Sequence, residues 1–126
     1  MAIRLLERAL SASAVVTMEG ESLSIGPEAR WFSVPGGERV DLARRGALRR
    51  ILSALVERHG EDGVKTFEAA ELLEIGWPGE RVLPTAGATR VRVAIASLRR
   101  LGLERYLLTY DQGYLLDPAA RLKREP

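Results

Sequence analysis

The stretch from residue 84 to residue 116 reads PTAGATRVRVAIASLRRLGLERYLLTYDQGYLL, and the rest of the chain is organised around it. Pro84 suits a first helical turn, where its missing N–H removes no helical hydrogen bond. Behind it Val91, Ile95 and Leu98 fall at i, i+4 and i+7, with Gly87, Ala94 and Leu101 beside them. That spacing predicts one buried stripe of an amphipathic helix over 84–101. Projected at about 100° per residue, Thr85, Thr89, Arg92, Val93, Ala96 and Arg100 fall on the opposite face, with Arg90 and Arg99 at its flanks. Between Arg81 and Arg105 there are six arginines and one acid, Glu104, so this segment is far more basic than its surroundings. A cationic helix face of small residues suits a polyanion. After Gly102, residues 106–110 and 114–116 are rich in aromatic and branched side chains, and Asp111-Gln112-Gly113 separates them. A three-residue loop closing on a glycine with φ > 0 predicts a hairpin here.

Trp77-Pro78-Gly79-Glu80, the run RVRVAIASLRR from Arg90 to Arg100, Leu108-Thr109 and Gly113-Tyr114-Leu115-Leu116 carry a family resemblance. They resemble the winged-helix effector domain of OmpR/PhoB-type bacterial transcription regulators. That family's pattern is a tryptophan before a variable loop, then R-V-x-V-x-I-x-x-L-R-(K/R), then T-x-x-G-x-G-Y-x-L. The likeness covers residues 20–117 and is densest from Leu72 onward. It implies an α+β winged helix-turn-helix: an N-terminal antiparallel sheet, three core helices and a C-terminal β-hairpin wing. It also implies that the helix over 84–101 enters the major groove of double-stranded DNA, and no receiver domain is contained in the pattern.

On that reading the candidate DNA-binding residues are Thr85, Thr89, Arg90, Arg92, Val93, Ala96, Arg99 and Arg100 on the helix, and Tyr110 and Gln112 on the hairpin. Arginine can pair with guanine O6 and N7, and small residues such as Thr89 and Ala96 allow close approach or contact with a thymine methyl. Arg90 and Arg99, at the flanks, suit phosphates. One departure bears on the wing: where the family carries an arginine that reaches the minor groove, this chain has Asp111, and a carboxylate near phosphates is repelled. Either the wing stays off the DNA, with Tyr110 and Gln112 making lesser contacts, or the domain is a protein-interaction module, an adaptor for a regulator or for RNA polymerase. The loop after Trp77 is where the family can touch RNA polymerase.

Composition narrows the alternatives. A chain of 126 residues with 46% hydrophobic and 29% charged residues has room for one globular domain with one core. The net charge is only +2, so the electrostatic argument rests on where the arginines cluster. Without cysteine there are no disulfides and no thiolate metal sites. His59 is the only histidine, no HExxH-type spacing or phosphate-binding loop occurs, and nothing supplies an activated nucleophile. The reading is therefore of a non-enzyme with no cofactor. No apolar run reaches the roughly 18 residues of a membrane span, and no signal-peptide core is present, which points to the cytoplasm.

The remaining segments fall into place around the central stretch. Residues 1–12 predict a short amphipathic helix whose Ile3, Leu6 and Leu10 suit a homodimer contact or a regulatory partner. The winged-helix domain is expected over 13–118 and a loose basic tail over 119–126. Short β-like runs at 14–18, 22–25, 30–34 and 38–42 are broken by Gly and Pro, with Trp31 in the sheet rather than offered as a base-stacking platform. A helix over 43–59 would bury Leu48, Ile51, Leu52 and Leu55 and turn Arg44, Arg45, Arg49 and Arg50 to solvent or to phosphates. His59 is expected at a solvated helix end before a turn over 59–63. A further helix over 66–75, capped by Thr66, would bury Phe67, Ala70 and Leu73 and end at a largely buried Trp77.

Overall fold

The computed structural model describes residues 22–59 and 65–125. In chain order the elements are β1 (Leu23–Ile25), β2 (Trp31–Ser33), β3 (Val40–Asp41), α1 (Gly46–His59), α2 (Ala69–Gly76), α3 (Pro84–Leu98), β4 (Leu107–Tyr110), β5 (Gly113–Leu116) and β6 (Leu122–Arg124). Among the described residues the architecture is α+β: three α-helices, a four-stranded sheet in the order β3-β2-β1-β6, and a separate β4-β5 hairpin. The helix expected over 1–12, with Ile3, Leu6 and Leu10, the strand expected over 14–18 and most of the 59–63 turn lie outside the described residues.

The sheet is mixed, not antiparallel as expected. β1 pairs antiparallel with β2, but its other edge takes β6 in parallel, Leu23 opposite Leu122 and Ile25 opposite Arg124. The Leu23 N–H donates to Arg121 O (2.9 Å) and the Glu125 N–H to Ile25 O (2.7 Å). Residues 122–124 of the expected loose tail are therefore sheet, bracketed by these two hydrogen bonds. The unpaired backbone groups on the open edge of β1 select a partner by backbone geometry, so the polar side chains of the segment do not prevent pairing. Between β1 and β2 the chain turns through Glu28 (φ 54°) and Ala29 (φ 57°). Gly26 is obligatory there, because a Cβ would overlap the Trp31 indole. That ring lies at the sheet surface with the Arg39 guanidinium 3.8 Å from its centroid.

The core forms where the helices and the sheet meet. Leu48, Ile51, Leu52 and Leu55 of α1 are buried as the periodicity predicts, against Phe32 and Leu42 from the sheet side and Leu72, Ile95, Leu98, Leu103, Leu107 and Leu116 from the later elements. Burying a leucine or isoleucine side chain contributes about 1.5–3 kcal/mol, so this cluster outweighs any single polar contact in the fold. α1 starts at Gly46, later than expected, because the Ala43 N–H donates to Asp41 Oδ1 (2.8 Å) and the Arg45 N–H to Leu42 O (2.9 Å), holding residues 42–45 in a turn. Its arginines do not all face solvent. Arg50 donates to Gly76 O (2.7 Å) at the end of α2, and Arg49 lies 3.9 Å from Glu28; Arg44 and Arg45 are exposed.

α2 begins at Ala69, and Glu68, not Thr66, is its N-cap, with the Glu68 N–H donating to Glu71 Oε1 (2.9 Å). Thr66 and Phe67 stay extended because Phe67 exchanges two backbone hydrogen bonds with Tyr114 (2.8 and 2.9 Å). Arg58 fastens this segment to α1, donating to Thr66 O (2.9 Å) with its guanidinium 3.6 Å from the Phe67 ring centroid. The buried face of α2 carries Leu72, with Leu73 half-buried and Ala70 exposed, so the stripe lies one turn-third away from the expected one. Trp77 is half-buried rather than largely buried as expected, and Leu83, just before α3, is 75% exposed. His59 is not simply solvated: its Nε2 donates to Asp117 O (3.0 Å), since a carbonyl oxygen can only accept. Among the described residues no helix is long and apolar enough to cross a membrane.

Candidate nucleic-acid interface

The candidate site is the outward face of α3 together with the tip of the β4-β5 hairpin. α3 is fixed by its opposite face, where Val91, Ala94, Ile95 and Leu98 are buried. Gly87 lets it cross α2 closely: a Cβ there would stand 2.5 Å from Leu73 Cδ2. With that side committed, Thr85, Thr89, Arg92, Val93, Ala96 and Arg100 are all exposed, Val93 by 58%. Within this face the Thr89 hydroxyl donates to Thr85 O (3.1 Å) and accepts from Arg92 Nη2 (3.2 Å). The Arg92 guanidinium therefore lies along the helix surface on a threonine instead of ranging freely.

The two flanking arginines are engaged within the chain. Arg90 Nη1 meets Glu80 Oε1 at 2.8 Å, and its guanidinium stands 5.3 Å from the Trp77 ring centroid, which ties α3 to the loop before it. Arg99 donates from Nε to Leu107 O and from Nη2 to Thr109 Oγ1, both 2.9 Å, which ties the end of α3 to β4. Sequence projection puts both residues correctly at the edges of the face but misses these partners. A signal exists for Arg99: Gly102 breaks the helix and folds the chain back, bringing a residue eight positions on within reach of a long side chain.

Tyr110 and Gln112 are exposed at the hairpin tip, Tyr110 by 61%. The loop is two residues long, not three. Tyr110 pairs with Gly113, and both Asp111 (φ 52°) and Gln112 (φ 66°) take left-handed backbone conformations, the pattern of a type I′ turn. Gly113 is needed for a different reason than expected: it has no positive φ, but a Cβ on it would stand 2.6 Å from Thr66 Oγ1 and 3.1 Å from Phe67 O. Since left-handed φ costs a side-chain-bearing residue about 1 kcal/mol or more, changing Asp111-Gln112 to Asn-Gly should stabilise the protein by about 1 kcal/mol. Urea denaturation midpoints of the two proteins measure this, and an unchanged midpoint would count against the turn assignment.

Beside this face lies an apolar groove between the start of α1 and α3. Ala47 and Leu48 of α1, Val93 and Ala94 of α3 and Trp77 line it, together with Arg45 and Arg90. No family model matches the chain, and neither the curated proteins nor the solved structures contain a match to it.

Proposed function

We propose that the chain is a cytoplasmic DNA-binding transcription regulator with a winged-helix fold of OmpR/PhoB type, and that α3 is its major-groove helix. The observation that carries this reading is the outward face of α3. Two exposed guanidinium groups, Arg92 and Arg100, stand two turns apart on a surface otherwise made of Thr85, Thr89, Val93 and Ala96. Small residues let a helix approach base edges, and spaced arginines supply the bidentate donors that guanine and backbone phosphates accept. The β4-β5 hairpin, tied to the end of α3 by Arg99, supports the reading as the candidate wing. Its exposed Asp111 keeps the tip from close contact with phosphates and leaves Tyr110 and Gln112 the lesser contacts there.

A second reading, that the domain is a protein-interaction module serving a regulator or RNA polymerase, is favoured by the apolar groove and by Val93 exposed at its edge. Titration of a random-sequence duplex by fluorescence anisotropy separates the two. A DNA-binding domain should bind at low salt with affinity falling steeply as salt rises, because phosphate contacts release counterions. No binding at low salt, about 50 mM, would remove the first reading and leave the second.

A further inference from the structure

Past Leu98 the last helical turn widens into a π-turn over Arg99–Leu103, and Gly102 then reverses the chain at φ 140°. Wide turns that close on a glycine are a common way for a helix to end. This one has a definite geometric effect. Arg100 and Arg105 are five positions apart, so on a continued α-helix they would point about 140° away from each other. The reversal instead brings both to one open cleft between the end of α3 and the β2-β3 connection, where Val34 and Pro35 form the far wall. Gly102 permits the reversal because a φ of 140° is a conformation that residues with side chains rarely adopt.

The cleft is lined by three guanidinium groups, Arg99, Arg100 and Arg105, against one carboxylate, Glu104. The hydrogen bonds of Arg99 run to a carbonyl and a hydroxyl, which are neutral acceptors and leave its charge uncompensated. Arg100 and Arg105 are exposed and form no ion pair among the described residues, although Glu104 lies between them in sequence. Three positive charges against one negative leave a concave site with an excess of two, a match for an anion rather than for a neutral or cationic group.

We infer that this cleft holds a DNA backbone phosphate on the strand that borders the major groove, an inference that rests on the major-groove reading of α3. The dimensions support it. α3 has 15 residues and is about 22 Å long, whereas the major groove is about 12 Å wide, so a helix lying across it carries its end onto the flanking backbone. Arg92 and Ala96 follow one another at i and i+4 along the exposed face of α3, and Arg100, two residues past its end, lines the cleft, so the exposed face leads into it. Arg105, which no periodicity places on that face, then becomes a phosphate contact supplied by the turn.

The test uses the full chain and Arg105→Ala, a change at an exposed side chain. Both are titrated with a random duplex and with a selected site at 50 and 200 mM salt. One lost phosphate contact reduces the logarithmic salt dependence by about 0.9, so the wild-type affinity should fall about 3.5-fold more across this range than that of the variant. Sequence preference should not change. Equal falls for the two proteins overturn the cleft assignment while leaving the DNA-binding reading intact. A second arm titrates inorganic phosphate and follows the Gly102 amide resonance. Phosphate binding at the cleft without duplex binding at low salt overturns both the DNA backbone as occupant and the major-groove reading beneath it.

Discussion

Gly113→Ala is expected to destabilise the protein by about 3 kcal/mol, far more than the loss of conformational freedom at a glycine. The added methyl would stand 2.6 Å from Thr66 Oγ1 and 2.7 Å from Thr66 Cβ, with Phe67 O at 3.1 Å. The hydroxyl could rotate away, but Thr66 Cβ and Phe67 O are fixed to the backbone and could not. Relief requires the 66–67 segment to move away from β5, and that segment is held by two backbone hydrogen bonds between Phe67 and Tyr114 and by the Arg58 contact to Thr66 O. Overpacking costs about 1–3 kcal/mol and each weakened hydrogen bond about 0.5–1.5 kcal/mol more. Gly36→Ala is the control: Gly36 has φ 78° and nothing within 4 Å of where the added methyl would stand, so only backbone strain of about 1 kcal/mol applies. Urea denaturation of both variants decides the matter, and equal midpoints would mean that the close approach at Gly113 is not there.

The same glycine illustrates what the sequence conveys and what it withholds. Gly113 at the end of a polar triplet reads as a positive-φ loop residue, yet the loop is Asp111-Gln112 and the glycine answers to Thr66, 47 positions earlier in the chain. Periodicity reports one element's own faces, and so the buried stripe and the exposed face of α3 were both legible, down to Thr85, Thr89, Arg92, Val93, Ala96 and Arg100. α1 was legible for the same reason. On the eight-residue α2 a short window allowed Ala70 to be mistaken for a core position that Leu72 holds. What could not be read were contacts set by tertiary approach. β6 has a single apolar residue, Leu122, and exists because β1 has an open edge. Arg50, Arg58 and Arg99 look like surface charge in the sequence, and each donates to a main-chain carbonyl of another segment.

Arg99 and Arg92 therefore part company under mutation, although both are arginines of one continuous helical segment. Arg99→Ala removes two hydrogen bonds that fix the hairpin against α3, and its effect on DNA binding would arrive through misplacement of the hairpin as well as through lost charge. Arg92→Ala removes only the contact to Thr89 within the protein, so its fold should be unchanged. If Arg92 reads a guanine, the variant should lose about 1–3 kcal/mol on the preferred site and show relaxed preference at that one base pair. Because about 1.4 kcal/mol corresponds to a tenfold change, the loss should read as roughly 5- to 150-fold in affinity. Thr89→Val keeps the shape of the side chain but removes the hydroxyl on which the guanidinium rests, and should reproduce part of the loss with the charge intact. The measurement is selection from a randomised duplex pool by the wild type, then titration of wild type, Arg92→Ala and Thr89→Val on the selected site and on single-base variants of it. A wild type that selects a site which Arg92→Ala binds equally well would exclude Arg92 from base reading. A wild type that binds but selects no sequence would reduce α3 to a helix held on phosphates alone.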